Sequence, residues 1–121
     1  MSVEDYRIQI KARRAVKEKR YINIRSSDGI FSIFIYLGKS QDYIVTPNAC
    51  TCPSYLFNVI LKKKHKYCYH IIGLKYALTT EQITRIMLPI NEIRDILIDI
   101  YAYGKSLKLR KLMSRKENDF E

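Results

Sequence analysis

From Val3 to Lys19 the chain has no Gly or Pro, and Val3, Tyr6 and Ile10, continued by Ala12, Ala15 and Val16, form a modest apolar stripe. That spacing predicts a first helix. Tyr21-Ile22-Asn23-Ile24-Arg25 then alternates with the period of a strand. Asp28-Gly29 is a tight-turn signal, and Phe31 to Leu37 reads as a second strand, with Phe31, Ile33, Ile35 and Leu37 on one face and Phe34 and Tyr36 on the other. After the turn Gly38-Lys39-Ser40, Tyr43 to Thr46 forms a third strand that runs towards Pro47 and Asn48. Ser54 to Leu61 reads as a short helix or turn of apolar filler, and Ile71, Ile72, Leu74 and Leu78 as the inner face of a further helix. Thr79 with Gln82 resembles a capping box, and Ile83, Ile86, Met87 and Ile90 follow at helical spacing up to Pro89. Asn91 is the expected cap of a last helix. Ile93, Ile96, Leu97, Ile100 and Tyr101 are its buried stripe, continued by Leu107 and Leu112 past Gly104.

Composition fits this picture of one domain, 1–121. The chain has 121 residues, 47% of them apolar, which suffices for a core. No apolar run reaches the roughly 20 residues of a membrane span. Met1 to Asp5 has neither the basic start nor the apolar stretch of a signal peptide, so a cytoplasmic location is expected.

Charge adds a possible class of partner. The net charge is +10, and Lys11–Arg20, Lys62–Lys66 and Lys105–Lys116 hold 16 of the 22 basic residues and one of the 12 acids. Stretches this concentrated suit a phosphate backbone when taken together, although any single one reads more readily as a solvated helix face. Arg13, Arg14, Lys17, Lys62, Lys63, Lys64 and Lys66 are the candidate phosphate contacts. Tyr67, beside the lysine run, is the candidate exposed stacking residue.

The chemistry lies in one cluster. All three cysteines and one of the two histidines fall in Cys50-Thr51-Cys52 and, fifteen residues on, Cys68-Tyr69-His70. Three cysteines cannot all pair within one chain, and a reducing compartment disfavours disulfides. Thiolate and imidazole are the ligands Zn²⁺ prefers, and four protein ligands close its tetrahedral shell. Cys50 and Cys52, two apart on extended chain, share a face. Cys68 and His70 converge if Cys68 stands at a helix entrance and His70 in its first turn, because i and i+2 diverge in mid-helix. The competing reading makes the cysteines small buried hydrophobes and His70 a satisfied core histidine. His65, inside the lysine run, is an alternative fourth ligand. One structural Zn²⁺ is expected, and its binding energy, roughly 10–16 kcal/mol for sites of this kind, rivals the whole stability of such a domain, about 5–15 kcal/mol. The fold class is α+β: an N-terminal helix, a three-stranded antiparallel meander, a zinc-bearing helix packed on the sheet, and C-terminal helices.

Cys50-x-Cys52…Cys68-x-His70, after a short meander and before a helix, resembles the SWIM zinc finger, with Pro53 after the CxC pair as family members often have. The finger would cover 38–78, followed by a C-terminal helical extension, 79–116. Some members, among them the SWIM subunit of the Shu-type recombination complex, carry alanine three residues after the histidine, where this chain has Gly73. SWIM fingers are interaction modules that bind DNA or proteins. The resemblance to small stand-alone members implies a RecA-family paralogue ATPase as partner, in recombination and repair. No GxxxxGK[ST] loop is present, and a closed metal site argues against an enzyme. A direct DNA-binding regulator of transcription is the alternative. The Ile93–Tyr101 stripe also leaves pairing with a second copy open.

Overall fold

The computed structural model describes residues 3–63 and 67–118. The elements are α1 (Val3–Lys17), β1 (Tyr21–Ser26), β2 (Ser32–Leu37), β3 (Asp42–Val45), a π-helical turn (Tyr55–Leu61), α2 (Tyr69–Thr80), β4 (Thr84–Leu88), α3 (Ile90–Tyr103) and α4 (Leu107–Asn118). The α+β class and the antiparallel meander are as the sequence predicts. The sheet order is β3-β2-β1-β4, with Ile22 opposite Ile35 across the antiparallel pair and Ile24 opposite Ile86 across a parallel one.

Alternation along the strands makes the sheet two-sided. Tyr21, Tyr36 and Val45 point to one face, where they meet Ile71, Leu74 and Ala77 of α2, Ala15 and Val16 of α1, and the three cysteines. Ile22, Ile24 and Ile35 point to the other, against Ile93, Ile96 and Ile100 of α3 and Leu109 and Met113 of α4. The sheet is thus the middle layer between two helical layers.

Several expectations are corrected. The segment 79–116 is not wholly helical, because the predicted helix over Ile83–Ile90 is strand β4. Thr79 caps nothing: its hydroxyl and that of Thr80 bond back to the carbonyls of Lys75 and Tyr76 in the last turn of α2, and Glu81 then turns left-handed at φ 56°. Pairing with β1 fixes the extended state, packing the half-buried Ile86 and Leu88 against the second core while Met87 stays 62% exposed. Pro89, not Asn91, occupies the cap of α3. Gly104, left-handed at φ 80°, ends α3, and the Ser106 hydroxyl accepts the Leu109 amide at 3.2 Å to begin α4 as a separate helix. Tyr101 and Leu107 are consequently exposed, and Leu109 and Met113 take the buried places. In α1 the inward face is the small set Ala12, Ala15 and Val16, while Val3, Tyr6 and Ile10 face outward.

Asp42 fastens the two ends of the second core. It is fully buried, accepts the Ser106 amide at 2.9 Å, and pairs with Arg110 Nη2 at 2.6 Å. Removing the cation leaves a buried carboxylate uncompensated, so Arg110→Ala is expected to destabilise the fold by about 3 kcal/mol. Lys108→Ala, which loses only exposed pairs at 3.8 and 4.0 Å to Glu92 and Asp95, is expected to cost less than about 1 kcal/mol. Urea denaturation of both variants checks the contrast.

Candidate metal centre

Two segments deliver the four donors. The first leaves β3, turns at Pro47–Ala49, and returns so that Cys50 bridges to Val45 in antiparallel register. The Thr51 amide donates to the Ile44 carbonyl at 3.1 Å, which keeps this stretch extended and turns Cys50 and Cys52 the same way. The second is the entrance of α2: Cys68 is its N-cap, in extended conformation, and His70 lies in the first turn. This is the placement the CxH spacing requires.

The donor atoms of Cys50, Cys52, Cys68 and His70 all lie within 4.8 Å of one another, and all four residues are buried. Donors held about 2.3 Å from one ion stand roughly 3.8 Å apart, so the spacing suits a tetrahedral shell. The three cysteines are free thiols. Both ring nitrogens of His70 are buried without a hydrogen-bond partner. A satisfied core histidine would not show that pair of orphans, and a metal ligand accounts for one of them. The residues therefore fit one structural Zn²⁺.

The surroundings act unequally on the sulfurs. The Tyr55 amide donates to Cys52 Sγ at 3.3 Å. The positive end of α2 stands at Cys68. Without a cation the three sulfurs divide their protons unequally. Hydrogen bonding from Cys50 holds Cys52 far below the usual thiol range, and the same bond holds Cys50 far above it. For Cys68 the contact with Cys50 works downward, but Cys52 and burial win and push it up to about 11.

Tyrosines wall the imidazole. The rings of Tyr69, Tyr36 and Tyr43 lie 4.0, 4.3 and 5.1 Å from that of His70. The Tyr21 hydroxyl donates to the His70 carbonyl at 2.9 Å. Gly73 makes room for it: a Cβ there would collide with the Tyr21 hydroxyl and stand 2.8 Å from ring carbon Cζ. The glycine that departs from the alanine of some SWIM proteins thus fits the tyrosine beneath it.

The candidate phosphate contacts are dispersed. Arg14 lines a hollow beside Lys11 and Lys39, Lys17 lines another beside Glu81, and Arg13 stacks over Tyr76 at 5.4 Å. Lys62 and Lys63 are exposed just past the π-helical turn. Lys64, His65 and Lys66 lie outside the described residues. Tyr67, expected to be exposed, is half-buried against the first core, with Lys75 Nζ 3.9 Å from its ring centre. The turn itself is not filler: Leu56, Phe57, Ile60 and Leu61 are 47–63% exposed. Its apolar content hid this, because composition alone does not give the direction a short turn faces.

Two outcomes follow from the geometry. Cys50→Ser or Cys68→Ser removes a ligand and is expected to abolish stoichiometric zinc and soluble expression, read by metal analysis of the purified chain. Gly73→Ala gains about 1 kcal/mol of helix propensity but overpacks by about 1–3 kcal/mol, so net destabilisation is expected. Tyr21→Phe, which removes the colliding hydroxyl, should make the double variant cost less than the two single changes summed, by about 1 kcal/mol in thermal or urea unfolding.

Comparison with known proteins adds one match. No curated protein and no solved structure matches the chain. Residues 33–78, from β2 to the end of the buried face of α2, match the family model of the SWIM zinc finger, and that segment contains all four ligands.

Proposed function

We propose that this protein is a zinc-stabilised SWIM-domain adaptor that docks on a RecA-family paralogue ATPase and contacts DNA in homologous recombination and repair. The observation that carries this reading is the closed, buried ligand set. Four protein donors leave the ion no open position, so its contribution is rigidity and not catalysis. Two kinds of surface adjoin the elements that carry the ligands. One is the apolar turn Leu56, Phe57, Ile60 and Leu61, which begins three residues after Cys52; exposed apolar groups of this kind mark protein contacts. The other is the basic surface of α1, where Arg14 and Lys17 stand in the last turn. The class of partner is an analogy from the CxC…CxH motif to SWIM proteins of the recombination type, and the SWIM match over 33–78 supports an interaction module.

The test is reconstitution with RecA-family paralogue ATPases from the same genome. A stable complex by size-exclusion chromatography is expected, with loss of that complex and retention of zinc in Phe57→Asp/Leu61→Asp. A chain that forms no such complex, yet binds one duplex sequence tightly by itself, would be a transcriptional regulator instead.

A further inference from the structure

A hollow of about 430 Å³ lies between α1 and the β2–β3 turn, adjoining the tyrosine wall of His70. Its size is in the range of small-ligand sites, about 300–1,000 Å³. Lys11 and Arg14 reach it from α1, Arg20 from the entry to β1, and Lys39 from the turn, while Tyr43 and Tyr69 form part of its wall. We propose that this hollow binds a nucleotide of a single-stranded nucleic acid, its phosphate on the basic rim and its base against the tyrosines. The proposal rests on the nucleic-acid element of the function given above and assigns it a place.

Four cations meet one acid there, Glu18. Arg20 Nε pairs with that acid at 2.5 Å, and the bond holds the Glu18 carboxyl below its ordinary range. Arg20 also donates to the Leu37 carbonyl at 2.9 Å, so it is a fixed part of the wall. Lys11, Arg14 and Lys39 remain as the phosphate-facing group, drawn from segments 25 or more residues apart and brought together only by the fold. Lys11 Nζ stands 5.9 Å from the ring centre of Tyr69, and both Tyr43 and Tyr69 are half-buried, each with part of its surface accessible. Cation beside aromatic ring is the pairing that takes backbone and base of an unpaired strand. A duplex keeps its bases stacked and offers a recess only its phosphates, whereas an unpaired base can enter.

The test is fluorescence anisotropy with the full chain and a labelled single-stranded oligothymidylate of about 15 nucleotides. Wild type is expected to prefer it to a duplex of equal length. Lys11→Ala/Arg14→Ala/Lys39→Ala should weaken binding by about tenfold or more and reduce the salt slope by about 2, as expected for three lost phosphate contacts. Lys105→Ala/Lys108→Ala/Lys111→Ala lowers net charge equally on the far side of the sheet and should weaken binding by less than about threefold. Zinc content and the urea unfolding midpoint together verify that each variant is folded. Equal losses in the two triple variants, or preference for duplex, would overturn the assignment. Binding that the first triple leaves unchanged would sink the site alone. Absence of any nucleic-acid binding by wild type would sink the site together with the DNA element of the proposed function, leaving the protein-docking element standing.

Discussion

One buried cation shared by two short segments is the constraint on which half of this molecule depends. Cys50 and Cys52 end an arm that folds back on β3, and Cys68 and His70 open α2. The ion is what makes these two ends a single point. Through it the arm, the helix and, by the Tyr21 hydroxyl on the His70 carbonyl, the central strand β1 are tied together. The other face of the sheet has its own means: isoleucines from all four strands against α3 and α4, and the buried Asp42 beside Arg110. Loss of metal should therefore disturb the two layers unequally.

Three thiolates around Zn²⁺ carry a formal charge of −1, and a buried charge needs compensation. The Tyr55 amide on Cys52 Sγ and the positive end of α2 at Cys68 meet part of it here. The basic groups around the hollow beside α1 come from other elements, and the nucleotide site proposed there would adjoin the metal centre through the tyrosine wall without sharing a ligand.

Much of this was legible in the chain. The ligand set and the position of Cys68 at a helix entrance follow from coordination chemistry and helix geometry, which leave few alternatives for CxC and CxH. The meander follows from period-two alternation, and so does the opposite facing of Ile35 and Tyr36, but the second helical layer was not read from it. What escaped was set by distant partners. Ile83, Ile86, Met87 and Ile90 satisfy a helical spacing, and only parallel pairing with β1, some sixty residues earlier, decides for β4. The exposure of Leu56 to Leu61, the wall of rings around His70 and the fit of Gly73 to Tyr21 likewise depend on orientation across elements, which local pattern does not contain.

The central claim is the coordination sphere, and zinc-edge X-ray absorption on the purified full chain reads it directly. The account predicts three sulfur scatterers at about 2.3 Å and one nitrogen at about 2.0 Å, with no oxygen ligand. A shell containing water or carboxylate oxygen, fewer than three sulfurs, or no bound zinc would contradict it.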